Sequence, residues 1–226
     1  MNIKGEKKVK LELGGALERL GFKIFDENKK PLKESWDRFQ VKNTIAGKRP
    51  DLVILGNLQA KGRQFPNRYI AIEIKIGSKH KDILDGFDSV LDYLNDYLWG
   101  AEYYVDNQKI DISAIVLATK YSPFGFLFKE EEKFNYKVVK GPWDAYPMTF
   151  TIARILWRQR DNLIKRFQAL TGIPKFVKST KTKIDPQRDI PQIGVLVWES
   201  KGKKTIRLML SAHPYHWKFE PSLSKI

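Results

Sequence analysis

The sequence predicts a mixed α/β fold in one domain, extended at its C-terminus by a helix and a β-hairpin. Three observations carry that expectation. The runs RPDLVILG (49–56), YIAIEIKIG (69–77) and DISAIVLAT (111–119) are short, apolar and rich in β-branched residues, as buried strands are. Stretches with apolar residues at helical spacing lie before the first run and between the second and third. Beyond residue 120 a further helical pattern leads to two alternating segments joined by a turn.

Taken in order, residues 7–21 set Val9, Leu13, Ala16, Leu17 and Leu20 on one helical stripe, and Gly21 offers a C-terminal stop. FKIF (22–25) reads as a short strand, DENKKPLKES (26–35) as a polar loop, and WDRFQV (36–41) as an edge strand or irregular arm. RPDLVILG is a buried strand, NLQAKGRQFPN (57–67) its connection, and YIAIEIKIG the next strand. From Lys81 to Trp99, Ile83, Phe87, Val90, Leu91, Leu94 and Leu98 form a stripe. Asp82, Asp85, Asp88, Asp92 and Asp96 lie largely opposite it, which predicts a solvent-facing acidic side. Residues 121–147 read as mostly irregular, with FGFLF (124–128) assigned to the core. A second long helix over 150–171 sets Ile152, Leu156, Leu163, Phe167 and Leu170 against Arg154, Arg158 and Lys165. A polar linker (175–192) then precedes a hairpin that turns at SKGKK.

Composition narrows the partners. The 226 residues hold 41 Lys and Arg against 26 Asp and Glu, a net charge of +15. Residues 151–226 contain 16 basic and 5 acidic residues, so +11 of the surplus sits there and +4 in the remainder. A polyanion, DNA in particular, is the expected partner. No apolar run reaches the roughly 18 residues of a membrane span and no signal-peptide core is visible, so a soluble, cytoplasmic protein without a membrane partner is expected. The absence of Cys excludes disulfides, a thiolate nucleophile and Cys-based metal sites. The HPYH run (213–216) reads as a polar tail.

Charges interrupt the most apolar strands. In YIAIEIKIG, period-two alternation puts Ile70, Ile72, Ile74 and Ile76 on one face and Glu73 and Lys75 on the other, about 6 to 7 Å apart. Antiparallel pairing of the two strands would bring Asp51 to the same place. Two carboxylates of this kind suit Mg²⁺ or Mn²⁺, and an adjacent ammonium can orient water or neutralise phosphate charge. That is the equipment of a phosphodiester hydrolase. Lys48 and Arg49 could contact phosphate, and Arg154, Arg158 and Lys165 could track a DNA backbone.

RPDLVILG, a connection and IAIEIKIG together resemble the PD-(D/E)XK nuclease superfamily. KGE near the N-terminus, a first helix ending in GF, PDLVILGN and AIEIKIGSK are most similar to archaeal Holliday-junction resolvases and, more distantly, to RecB-type nucleases. The resemblance covers about residues 4–120. It implies a restriction-endonuclease-like core over 1–120: helix, three strands, helix, strand, with a mixed central sheet flanked by helices. Residues 121–226 would be a basic extension packed on that core and helping to hold DNA. It further implies that Asp51, Glu73 and the Ile74 carbonyl bind Mg²⁺ or Mn²⁺, that Lys75 serves the water or the transition state, and that a homodimer acts on branched DNA. Such resolvases carry another Glu on the first helix, here assigned to Glu12 in preference to Glu6 or Glu18. The 22 positions between Asp51 and Glu73 imply a long hairpin on which Lys61, Arg63 and Arg68 grip DNA. The Gln-x-x-x-Tyr motif of RecB-type helices is absent, because Ser89 and Tyr93 stand at that offset before Tyr93 and Tyr97. The competing readings are a site-specific or transposase-like endonuclease on the same fold, and a non-catalytic DNA-binding protein whose charged strand face is incidental.

Overall fold

The structure, a computed structural model, describes residues 3–60, 63–75, 80–119, 147–172, 190–201, 204–211 and 217–221. Helix α1 (Ile3–Arg19) begins four residues before the expected start. It ends where Gly21 N–H donates to the Glu18 carbonyl and Phe22 N–H to the Leu17 carbonyl, with Gly21 at a φ of 94°. That is the hydrogen-bond pair of a Schellman stop, and it needs a residue free to go left-handed.

The strands are β1 (Lys23–Asp26), β2 (Asp37–Lys42), β3 (Leu52–Ala60), β4 (Arg63–Lys75), β5 (Glu102–Val105), β6 (Gln108–Ile110), β7 (Ile112–Thr119), β8 (Gln192–Lys201), β9 (Lys204–Ser211) and β10 (Trp217–Pro221). Helix α2 (His80–Leu98) follows β4, and α3 (Pro147–Thr171) precedes β8. The fold is mixed α/β, with one mixed sheet in the order β6-β5-β2-β1-β3-β4-β7-β8-β9. β10 lies off that path and pairs with Gly56–Ala60 of β3, while β1 pairs with Leu52–Leu55 of the same strand. A strand late in the chain thus returns to one near its start, and the sheet curls.

Apolar packing on both faces explains why the central strands are nearly continuous hydrophobic runs. Val9, Leu13 and Leu17 of α1 cover Ile24, Leu52, Ile54, Ile70, Ile72, Ile74 and Val116. On the other face Val90, Tyr93 and Leu94 of α2 and Leu156 and Ile164 of α3 cover Phe25, Val53, Ala71, Ile115, Leu117 and Val195. The alternation within β4 therefore reads as expected: Ile70, Ile72 and Ile74 face α1, whereas Ala71 belongs to the α2 side.

Several expectations change. β2 is an interior strand, parallel to β1 and antiparallel to β5. Residues 57–67 are no simple connection, because β3 and β4 continue as a paired hairpin out to Ala60 and Arg63. A second hairpin, β5–β6, occupies residues for which no element was expected; it turns at Asp106 and Asn107, with φ of 49° and 62°. That turn suits the right-handed strand twist, and Asn and Asp tolerate it. β8 runs parallel to β7 from Ala114 to Thr119, so the C-terminal segment supplies strands to the same sheet. The turn at SKGKK is borne out by β8 and β9. On α3, Leu170 is 75% exposed, while Arg160 is buried and donates to the carbonyls of Pro191 and Ile190 at 2.8 and 3.3 Å. Residues 121–146, with FGFLF, the greater part of the 175–192 linker and His213–His216 lie outside the described residues. No described helix is long and apolar enough to cross a membrane.

Candidate active site

Register builds the site. In the antiparallel β3–β4 pair Leu52 opposes Ile72, so Asp51, one residue before β3, lies beside Glu73 and Ile74. The Ile74 N–H donates to Asp51 Oδ2 at 2.7 Å. Glu73 is buried at 6% exposure, and its Oε1 lies 2.8 Å from Lys75 Nζ. The hydroxyl of Tyr93 lies 2.6 Å from Glu73 Oε2 and 2.8 Å from the Arg49 carbonyl. With one hydrogen to give, it donates to one of them at a time. Helix α2 can come this close because residue 86 is glycine: a Cβ there would sit 2.6 Å from Leu117 Cδ1 and 2.9 Å from Lys75 Cγ.

These groups open on a cavity of about 360 Å³. Glu6, Lys7 and Lys10 of α1 form one wall, Glu27, Asn28 and Leu32 another, and Lys48, Arg49 and Asp51 a third. Glu73, Ile74 and Lys75 of β4 and Ser89 and Tyr93 of α2 complete it.

Two carboxylate groups face each other across this space. Burial, and then the charge of Glu73, push the Asp51 carboxyl up to about 7, with the Ile74 N–H offsetting part of the effect. Burial and Glu73 also drive the Tyr93 hydroxyl far above its ordinary value, so it stays a neutral donor. The second group centres on Lys10, which is 6% exposed, with Nζ 2.9 Å from Asp26 Oδ1 and 3.1 Å from Glu27 Oε1. Burial opposes ionisation of Asp26, yet the Leu32 N–H at 2.8 Å, Lys10 and the Asn28 N–H outweigh it and hold the carboxyl below its ordinary value. Glu27 is shifted the other way by burial despite Lys10.

The donor set suits a hard divalent cation. Among the described residues no group of three or more His, Asp or Glu could hold a metal by itself. Asp51 and Glu73 supply two carboxylates, the Ile74 carbonyl is a neighbouring third oxygen, and Mg²⁺ commonly completes its shell with water and substrate phosphate. The Glu73 repulsion that adds to burial in raising Asp51 is what a cation between the two carboxylates would relieve.

Asp51, Glu73, Ile74 and Lys75, together with Lys48 and Arg49, thus meet in one cavity. Glu12 does not line it. Lys10 faces the cavity, and a residue two positions later points about 200° around the helix, whereas Glu6, one turn before Lys10, shares its side. Glu18 instead accepts from Ser35 at 2.6 Å and from Lys33. Lys61 lies outside the described residues. Arg63 opens β4, and Arg68, half-buried, lies further along it, away from the cavity lining. Arg158 and Lys165 are exposed on α3 and do not line the cavity; Arg154 lies on the same helix. The acidic side of α2 is not uniformly solvated: Asp96 is 1% exposed and accepts from the N–H groups of Ile45 and Ala46.

Sequence reasoning missed Lys10, Glu27, Tyr93 and Gly86. For Tyr93 a signal existed, since Ser89 and Tyr93 stand one helical turn apart and both line the cavity. Comparison with family models, curated proteins and solved structures finds no match for the chain.

Proposed function

We propose that the chain is a metal-dependent DNA endonuclease of the PD-(D/E)XK type that hydrolyses phosphodiester bonds. The observation that carries this reading is the convergence of Asp51, Glu73 and Lys75 in one cavity through the β3–β4 register. The sequence of pairings supports it as well. α1 precedes β1, β1 is antiparallel to β3, β3 to β4, α2 follows, and β7 returns parallel to β4, as expected of a nuclease-like core with β2 and the β5–β6 hairpin inserted.

In this reading Asp51, Glu73 and the Ile74 carbonyl hold Mg²⁺ or Mn²⁺, which when bound supplies Lewis acidity and an activated water. Tyr93 fixes the Glu73 carboxylate, and the Ile74 N–H fixes Asp51. Lys75, held on Glu73 and exposed to the cavity, orients the attacking water or neutralises charge on the phosphate. Lys7, Lys48 and Arg49 at the walls favour a polyanion. By its likeness to junction resolvases the chain acts on branched DNA as a homodimer, whose two sites match two strands of a four-way junction.

The test is a panel of linear, flapped, single-stranded and four-way DNAs with Mg²⁺ or Mn²⁺. Cleavage that vanishes in Asp51→Ala, strongest on the branched substrates, is expected. One observation favours a non-catalytic reading: the Glu73–Lys75 contact at 2.8 Å is also what a purely structural ion pair would make. A wild-type chain that binds DNA but cuts no member of the panel would select it.

A further inference from the structure

The loop that leads from β2 into the active-site strand is built with unusual care. Its ends, Asn43 and Gly47, have φ of 59° and 67°, and between them Ile45 is 67% exposed. Of the large apolar side chains among the described residues, only Leu170 is more exposed. A single exposed Ile needs no explanation by itself. Its anchor does. Asp96 Oδ1 accepts the Ile45 N–H at 3.1 Å and the Ala46 N–H at 3.0 Å, while Oδ2 is buried without a partner among the described residues. A buried, half-satisfied carboxylate is a costly way to hold an exposed loop.

The anchoring continues along α2 in order. One turn before Asp96, Asp92 pairs with Lys48 at 2.6 Å, and next to it Tyr93 reaches the Arg49 carbonyl and Glu73. Residues 45–49 are therefore pinned step by step from the loop tip to the active site.

Resting on the nuclease reading above, we propose that Ile45 is a wedge, which enters the base stack close to the scissile phosphate and unstacks it. The chemistry of the surroundings favours nucleic acid over a protein partner. The branched aliphatic tip stands alone, with exposed Lys42 on one side and exposed Arg49 on the other to take the flanking phosphates. Aliphatic wedges of this kind act at steps that unstack easily, such as pyrimidine–purine steps and branch points. The wedge accordingly gives the enzyme a preference for flexible or unpaired positions.

The experiment places 2-aminopurine singly at each step around the cleaved bond of a duplex, and reads its fluorescence on binding in Ca²⁺. The same DNAs, paired and with a mismatch at the wedge step, are cut in Mg²⁺. Wild type should brighten the probe at one position close to the cut. Ile45→Ala should abolish that rise, and Ile45→Phe should keep it. The ratio of cleavage on paired to mismatched DNA should fall about tenfold in Ile45→Ala, because the mismatch already supplies the unstacking that the wedge provides. Equal brightening by wild type and Ile45→Ala, or none by wild type at any position while it still binds and cuts, overturns the wedge. Brightening that needs Ile45 without cleavage of any DNA would keep the wedge and overturn the nuclease reading.

Discussion

Two Lys-centred carboxylate pairs share one cavity, and they are built on opposite principles. Around Lys10, Asp26 is fully buried, yet the Leu32 and Asn28 N–H groups and the ammonium satisfy it. Around Lys75, only Glu73 is neutralised; Asp51 keeps a single N–H donor, and burial together with a like-charged neighbour pushes it up to about 7. In the first pair Asp26 is complete as it stands, although burial still raises its neighbour Glu27. The second is left short of positive charge at the point where two protein strands, one helix and the cavity meet. Structural ion pairs are satisfied from within, whereas a site that must take a cation or a substrate leaves a deficit for it to fill.

The largest effects should fall on the incomplete pair. Replacing Asp51, Glu73 or Lys75 singly by Ala is expected to lower cleavage by about a thousandfold or more, with double variants little worse, since groups acting as a unit are not additive. Single-turnover assays on four-way DNA, with circular dichroism to verify folding, measure this. Lys10→Met should instead act on stability. It strips the buried Asp26 of its cation, at a cost of about 3 to 5 kcal/mol, which urea unfolding would read.

The two groups should also differ in how they respond to pH. Asp51 has a folded pKa above its unfolded value, so metal-free protein binds extra protons in the window from about 4 to about 7. Its contribution is fully favourable below that window and is lost as pH rises through it. Asp51→Asn, which keeps an oxygen acceptor for Ile74, should flatten the decline. Asp26 has the opposite sign: its folded pKa is depressed, so its stabilisation is present above the unfolded value and lost as pH falls. Asp26→Asn should therefore destabilise at pH 7 and matter least in acid. Urea titrations from pH 4 to 8 on both variants check the contrast.

How much of this was legible varies with the range of the interaction. The Asp51, Glu73 and Lys75 cluster follows from period-two alternation and one hairpin, both local, and the structure bears out that geometry. The first-helix carboxylate that lines the cavity is Glu6 rather than the expected Glu12; the residues before Lys7 carry no clear start signal, and the helix start at Ile3 sets Glu6 on the same side as Lys10. Asp96 reads as solvated in any local pattern, since its partners lie some 50 residues earlier in the chain. β8 beside β7 is likewise a long-range pairing that no local periodicity encodes. The β5–β6 hairpin does have a local signal, the Asp106–Asn107 turn between alternating Tyr and Val.

Smaller effects sharpen the comparison at its margins. Tyr93→Phe frees the buried Glu73 oxygen and should slow cleavage by about ten- to a hundredfold, matching the roughly 1 to 3 kcal/mol of a lost hydrogen bond to a charged group. Gly86→Ala drives a methyl against Lys75 and Leu117 and should also slow cleavage, with an overpacking cost of about 1 to 3 kcal/mol partly offset by helix propensity. The smallest change is expected on α3. Neutralising Arg154, Arg158 and Lys165 together should lower the slope of log K against log salt by roughly 2 to 3, if all three meet phosphate, with no change in sequence preference.

Mn²⁺ calorimetry on wild type, Asp51→Asn and Asp26→Asn is the most direct test of the contrast between the two pairs. One metal site should appear in wild type and in folded Asp26→Asn, and disappear in Asp51→Asn. Binding that survives Asp51→Asn, or that is lost only with Asp26, would contradict the assignment of the metal and the chemistry to the incomplete pair.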